Sequence, residues 1–234
     1  ENSGSPEEQG PFLYNTDITS AGMTYGQKLT VSFWMKPDNT NGERKYIVSF
    51  WDESSEGLSI NSNDYSAAVY LENSYLYLRI YHYSNGTDRY EYRVSGIVTT
   101  RFSHVCVMID RNDIDTTASQ KVYIDGEAQT LTKITHGTPA MSYGRDIERV
   151  FIGDYPNDNN LYGMQGYITQ MSLWKGELTQ EEVREIYNKG RWKNLLSHPQ
   201  WSKCFAWWEL GDDTGISING TGHPLDGNYS TSGE

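Results

Sequence analysis

The sequence is poor in cysteine and in basic residues. Its 234 residues include two Cys, 19 Lys or Arg and 31 Asp or Glu, which gives a formal net charge of −12. Two cysteines cannot form a disulfide scaffold, and no CxxC or Cys/His pattern indicates a metal site. The acidic surplus argues against nucleic acid as a partner, because phosphate contacts need clustered Lys and Arg.

Long apolar segments are also missing. No apolar run approaches the roughly 20 residues of a membrane helix, so the sequence predicts no membrane insertion by such a helix. No repeat of fixed period is present. The chain begins at Glu1 and not at a methionine, which we interpret as a processed product, an excised domain or an incomplete record.

Aromatic residues are abundant, with 18 Tyr and 7 Trp. They occur in about a dozen short segments of alternating polarity, of which Lys28–Lys36 is the clearest. Turn residues separate these segments, and almost no helix pattern interrupts them. This order predicts an all-β antiparallel sandwich, and the length fits one such domain with a sizeable core.

The segment Gln165–Gly190 combines a strand with a helix. Alternation predicts a strand with one face formed by Tyr167, Thr169, Met171 and Leu173 and the other by Ile168, Gln170, Ser172 and Trp174. After it, Thr179 and Glu182 have the spacing of a capping box and predict the start of a helix. Gly190 is expected to end that helix.

Composition divides the rest of the chain. Residues 1–10 are polar with Gly, Pro and Ser, and residues 214–234 are rich in Gly, Ser, Thr and Asn. We predict a flexible N-terminal arm, a β-sandwich over residues 11–213 and a flexible C-terminal tail. Phe205–Leu210 is expected to be a closing strand beside Pro11–Tyr14. Cys106 lies in an apolar run, which favours a small buried hydrophobe over a bridge to Cys204.

Several motifs carry a family resemblance. The order GYIxxMSLW, ELTxEEV and IYNxG in Gln165–Gly190, together with RFSHVCVMID followed by KVYIDG, resembles laminin G-like and pentraxin-like domains. This resemblance implies a concanavalin A-like jelly roll of two antiparallel sheets with one short helix toward the C-terminal side. Such domains usually carry an acidic pair where this chain has Thr169 and Gln170.

The same superfamily includes glycan-cleaving enzymes, so we searched for catalytic patterns. Laminarinase-like members carry ExDxxE on one strand, and this sequence contains no such motif. It also lacks GxSxG and a Gly-rich phosphate loop. His104 lies in a predicted strand, which favours a hydrogen-bonded structural role. The sequence therefore predicts a protein that is not an enzyme.

Calcium is the one cofactor that the sequence indicates. Asp154, Asn157, Asp158 and Asn159 concentrate the oxygen ligands that Ca²⁺ prefers in one loop. The resemblance to pentraxins implies a metal site there, helped by an earlier acidic loop that contains Glu56. The alternative is a turn in which Asn and Asp are chosen because they tolerate left-handed backbone conformations.

A group of tyrosines gives a second candidate site. A ladder across one hairpin is expected from Tyr75, Tyr77, Tyr81, Tyr83, Tyr90 and Tyr92. Tyrosine rings pack against sugars, but they also suit protein interfaces and strand pairing. Interface contact or stability is the favoured interpretation, and sugar binding is the alternative.

Two hypotheses for function follow. LLSH followed by AWWELGD resembles segments of laminin G-like structural proteins in tailed phages, which implies a non-catalytic virion decoration or fibre component with protein partners in a larger assembly. The alternative is a lectin-like adhesion domain that binds cell-surface glycans, with or without calcium. Either hypothesis places the chain outside the cell or on a virion surface and is compatible with an oligomer.

Overall fold

The computed structural model describes residues 12–15, 28–40, 42, 44–51, 65–81, 89–136, 147, 149–153, 163–191, 193–208, 210 and 228–230. These residues form strands and one short α-helix, α1 (Gln180–Tyr187). The strands are β1 Phe12–Asn15, β2 Leu29–Pro37, β3 Lys45–Trp51, β4 Tyr65–Glu72, β5 Tyr75–Tyr81, β6 Arg89–Val94, β7 Ser103–Ile109, β8 Lys121–Ile124, β9 Glu127–Ala128, β10 Thr132–His136, β11 Arg149–Ile152, β12 Gly166–Lys175, β13 Cys204–Trp208 and β14 Asn228–Ser230.

The strands are arranged in two antiparallel sheets. One sheet has eight strands in the order β10-β6-β5-β4-β3-β11-β1-β14, and the other has six in the order β13-β12-β2-β7-β8-β9. The predicted all-β sandwich with one short helix on the C-terminal side is therefore confirmed.

The core lies between the two sheets and follows from strand alternation. In β2, the apolar residues Leu29, Val31, Phe33 and Met35 are buried in the main core cluster. The eight-stranded sheet contributes residues such as Val69, Leu78 and Tyr92 to the same cluster. Because successive side chains point to opposite faces, each sheet also has an outer face.

Strand β12 departs from the predicted alternation at a β-bulge. Thr169 pairs with Trp34 and Ser172 with Ser32, so three steps along β12 face two along β2. Gln170 has a positive φ of 51° at this point. The extra residue reverses the alternation, so the predicted single face is wrong. Tyr167 and Thr169 lie on the outer face, whereas Met171 and Leu173 enter the core.

Helix α1 begins where the sequence predicts. The Glu182 amide donates to Thr179 Oγ1 and the Thr179 amide donates to Glu182 Oε2, which completes the capping box. The helix ends at Asn188, whose φ of 46° is left-handed, and a 3₁₀ turn over Asn188–Gly190 follows. The predicted end at Gly190 therefore lies one short turn beyond the end of the helix in the structure.

The end of the chain pairs differently from the prediction. β13 pairs with β12 in the six-stranded sheet and not with β1, because its apolar side chains are buried on both faces there. β1 pairs with β11 and with β14. β14 lies within 214–234, and its three residues form a strand where the sequence predicts a flexible tail.

Two further observations concern the described residues. Cys106 and Cys204 are both buried and free, so no bridge joins them. None of the helices described here has the length and hydropathy that a membrane crossing requires.

Candidate functional site

The outer face of the eight-stranded sheet carries charged and aromatic side chains, although this face takes no part in the core between the two sheets. Strand register places Arg93, Tyr77, Tyr70 and Tyr46 side by side on β6, β5, β4 and β3. The next row contains Glu91, Arg79, Ala68 and Ser49. We call this surface the tyrosine–arginine face.

Arg79 is the centre of its polar contacts. Its Nε donates to Glu91 Oε1 at 2.5 Å, its Nη2 to the Tyr70 hydroxyl at 2.8 Å and its Nη1 to the Tyr46 hydroxyl at 3.1 Å. Tyr46 is on β3, two strands away from Arg79, so the side chain of Arg79 must cross β4. It can do so because its neighbour on β4 is the small residue Ala68.

Glu91 receives hydrogen bonds on both carboxylate oxygens. Oε1 accepts from Arg79, from the Tyr70 hydroxyl at 2.9 Å and from Arg89 Nε at 3.1 Å. Oε2 lies 2.7 Å from His136 Nε2. Burial by itself would raise the pKa of Glu91, but the Arg79 charge and the hydrogen bonds outweigh it and lower the pKa to about 2. The carboxylate is thus ionised, and both of its oxygens accept hydrogen bonds.

The tyrosines of this face form a stack with arginine. Tyr70 and Tyr77 are parallel with ring centroids 4.9 Å apart, and Tyr46 lies 5.3 Å from Tyr70. The guanidinium groups of Arg44 and Arg79 lie 4.8 Å and 4.6 Å from the Tyr70 ring centroid. Burial raises the pKa of Tyr70, so its hydroxyl stays protonated and available as a donor to Glu91.

The buried centre has a rim that reaches solvent. The side chain of His136 is 35% exposed and that of Arg89 is 23% exposed, whereas Glu91 is 5% exposed. Tyr75 and Arg93 are half-buried on the same face, with the Arg93 guanidinium 4.5 Å from the Tyr75 ring centroid. A ligand could therefore contact side chains whose positions are already fixed by the buried groups beneath them.

The predicted tyrosine ladder is wrong for part of its members. Tyr90 and Tyr92 lie opposite Ile80 and Leu78, so they enter the main core instead of the outer face. Tyr75 and Tyr77 do lie on the tyrosine–arginine face. The backbone of Tyr81 ends β5 opposite Arg89, and Tyr83 is outside the described residues.

The predicted calcium ligands are not covered by the described residues. Glu56, Asp154, Asn157, Asp158 and Asn159 all lie outside them. Within the described part of the chain, no group of three or more His, Cys, Asp or Glu side chains could hold a metal ion. The calcium site stays a prediction.

The pair at the position of the family's acidic residues has other partners. The Thr169 hydroxyl donates to the Leu210 carbonyl at 2.7 Å. Gln170 Oε1 accepts from Trp207 Nε1 at 3.0 Å. These bonds hold β12 to the residues of β13 and beyond, so the pair stabilises the bulge.

Sequence reasoning missed Arg79, Glu91, Arg89 and His136. The sequence did contain a signal for Arg79 and Glu91. These two residues carry opposite charges and lie in two consecutive predicted strands that flank one turn. Paired charges within strands that otherwise alternate Tyr with aliphatic residues indicate a polar outer face. His136 had no such signal, since its contact with Glu91 depends on β10 pairing with β6.

The comparisons with known proteins agree with this architecture. A laminin G-type family model, described as the concanavalin A-like lectin/glucanases superfamily, matches residues 15–184. No curated protein matches the chain.

Solved structures match at low sequence identity. The CBM40 of the Ruminococcus gnavus IT-sialidase, bound to α2,3-sialyllactose, has a TM-score of 0.54 at 14% identity, with 79% of this chain and 100% of that chain covered. A Bacteroides ovatus protein proposed to bind carbohydrate has a TM-score of 0.54 at 14% identity, covering 94% and 58%.

A receptor-binding domain of botulinum neurotoxin mosaic serotype C/D also matches. Its TM-score is 0.50 at 13% identity, with 76% of this chain covered. The alignment spans 42% of that domain, so the match covers about two fifths of its length. At these identities the likeness supports the fold alone.

Proposed function

The chain belongs to the concanavalin A-like lectin/glucanases superfamily, and on that basis we propose that it is a carbohydrate-binding module without catalytic activity. Its ligand lies on the tyrosine–arginine face. Solved structures of the same fold include a sialidase module with a bound sialylated sugar and a protein proposed to bind carbohydrate. We infer that the protein binds this glycan outside the cell.

One observation carries this proposal, namely the hydrogen-bonded network around Glu91. Burying charges is expensive, and apolar residues of similar volume would often stabilise a sheet face equally well. The network instead holds Arg89 and His136 in place at the rim. Sugar recognition needs such fixed polar groups beside aromatic rings, because hydroxyls accept and donate hydrogen bonds while the apolar ring faces stack.

The same network favours binding over hydrolysis. Glycoside hydrolysis uses two carboxyl groups, one of which must hold a proton at working pH. Among the described residues, Glu91 is the buried carboxylate of this face, and its pKa of about 2 keeps it ionised. Both of its oxygens are occupied by donors.

A glycan array with the purified chain tests the proposal. We expect retention of a defined glycan set by the wild-type chain and a loss of at least about tenfold in affinity for Arg89→Gln and His136→Gln, since each removes a fixed polar contact. Arg184→Gln, on the exposed side of α1, is the matched control and should bind as the wild type does.

Two other outcomes would overturn parts of the proposal. Binding that is unchanged in Arg89→Gln and His136→Gln would place the ligand elsewhere. If no glycan on the array binds, carbohydrate binding is contradicted. The assembly role, such as a virion component, then becomes the leading hypothesis. Repeating the array in EDTA tests the predicted calcium dependence, because binding through Glu56 and the Asp154–Asn159 loop would then disappear.

A further inference from the structure

The described part of the tyrosine–arginine face carries a net charge of opposite sign to that of the whole chain. The chain has a formal net charge of −12. On this face, the described residues include four arginines, Arg44, Arg79, Arg89 and Arg93, and two carboxylates, Glu72 and Glu91. Among these described residues, positive charges therefore outnumber negative charges by two before His136 is counted.

The four arginines differ in whether a carboxylate pairs with them. Arg79 and Arg89 both contact Glu91, and Arg44 pairs with Glu72 at 3.2 Å. Arg93 has no carboxylate partner in the described part of the chain. Its guanidinium lies against the Tyr75 ring and bonds to Tyr77. A guanidinium fixed by aromatic neighbours keeps donors in a planar fork that matches carboxylate and sulfate groups.

The accessible basic residues form a strip along one strand. Arg89 and Arg93 are on the same face of β6, four residues apart, which corresponds to about 13 Å. His136 lies opposite Arg89 on β10, the edge strand of the sheet. An extended molecule can therefore contact Arg93 at one end and Arg89 with His136 at the other, with Ile134 between them on β10.

From this strip we propose that the ligand is an acidic glycan, an oligosaccharide that carries carboxylate or sulfate groups. This inference rests on the proposed carbohydrate binding and names the class of ligand. One anionic group of the glycan pairs with Arg93, where none of the described carboxylates competes. The sugar rings then extend along β6 toward Arg89 and His136.

Matched pairs of oligosaccharides test the inference by isothermal titration calorimetry. The pairs are sialyllactose and lactose, a uronic acid oligomer and its methyl ester, and a sulfated oligosaccharide and its desulfated form. We expect at least one acidic member to bind about tenfold more tightly than its neutral counterpart, and its affinity to fall as salt rises. The pair that shows the difference distinguishes carboxylate from sulfate.

Variants then locate the anion. Arg93→Gln should remove the preference for the acidic member, so that the acidic and the neutral member bind this variant with equal affinity. Arg93→Lys keeps the charge without the fork and should retain part of the preference. Arg184→Gln controls for the general loss of one positive charge, and circular dichroism confirms that each variant is folded.

The outcomes separate this inference from the proposed function. Equal affinity for acidic and neutral members would overturn the acidic ligand and leave carbohydrate binding intact. Binding to no member would overturn the acidic ligand, and together with a glycan array on which nothing binds it would overturn both. An acidic preference that survives Arg93→Gln would overturn the assignment to Arg93.

Discussion

The outer faces of the two sheets follow the same alternation but bury opposite kinds of side chain. The six-stranded sheet packs its outer face against α1 through an apolar cluster that includes Trp174, Leu178, Val183 and Ile186. The eight-stranded sheet buries Arg79 and Glu91 among tyrosines. One outer face thus gains stability mainly from apolar packing, whereas the other holds ionised groups in defined positions.

Histidine shows the same contrast. On the six-stranded sheet, His104 is buried between Trp34 and Tyr187, with Nε2 2.8 Å from Ser32 Oγ. Burial lowers its pKa to about 3, so it is neutral near pH 7. On the eight-stranded sheet, His136 contacts the ionised Glu91 at the solvent-accessible rim. A histidine in this fold is structural or a candidate for binding according to the face that it occupies.

The largest expected effect comes from breaking the ionic network. Glu91→Gln keeps the volume of the side chain but leaves the buried Arg79 without its counter-charge, which we expect to destabilise the fold by about 3–5 kcal/mol. Urea denaturation measures this change. Glu127→Gln, which breaks the exposed pair with Arg184, is the control and should alter stability far less. Equal losses in the two variants would contradict a special role for the network.

The apolar outer face should respond through packing and not through binding. Leu178 is fully buried under α1, and Leu178→Ala is expected to cost about 2–5 kcal/mol. Leu196→Ala, at a position that is 51% exposed, should change stability little. Calorimetry below the unfolding temperature should find glycan affinity unchanged in both. A loss of affinity in Leu178→Ala would show that the two faces are coupled.

The sequence predicts the apolar half of this contrast better than the polar half. Alternation in β2 and the Thr179–Glu182 capping box depend on neighbours along the chain, and both predictions are confirmed. The bulge at Gln170 depends on how β12 aligns with β2. The Glu91 network likewise depends on the register of β4, β5, β6 and β10, which no local pattern determines.

The tyrosines illustrate why local patterns fail. Tyr77 and Tyr92 look alike in sequence, since both occur in alternating strands that flank one predicted hairpin. Register places Tyr77 opposite Arg93 and Tyr92 opposite Leu78, so one belongs to the outer face and the other to the core. A shift of one residue would exchange them.

Acid should affect the two faces in different pH ranges. The pKa of His104 is about 3 in the fold and 6.5 ordinarily, so below pH 6.5 the unfolded chain binds a proton that the folded chain does not. Stability therefore falls as pH falls from 6.5 toward 3, by up to about 1.4 kcal/mol per pH unit. Glu91, with a folded pKa of about 2 against 4.5, stabilises the fold above pH 4.5, and this contribution is lost as pH falls toward 2.

In the interval between pH 6 and 4.5 the lowered pKa values of both His104 and His198 make stability fall with pH, and a single variant isolates the contribution of His104. We expect the wild-type chain to lose about 2 kcal/mol more than His104→Gln over this interval, because glutamine does not titrate. Urea denaturation at several pH values measures both slopes. Parallel slopes would contradict the assignment of this sensitivity to the buried histidine.

The smallest expected effect concerns the cap of α1. Thr179→Ala removes the hydroxyl that accepts from the Glu182 amide and should cost about 1 kcal/mol, whereas Thr179→Ser keeps an oxygen there and should cost less. Among the described residues, α1 contacts the outer face of the six-stranded sheet, the β8–β9 hairpin and the segment that follows the helix. Its loosening should therefore leave the tyrosine–arginine face unchanged. We expect Thr179→Ala to bind glycan as tightly as the wild type does, although its stability falls in the same sample. This result would show that the helix supports the fold without taking part in recognition. A parallel fall in affinity would mean that the cap reaches the binding face through the core.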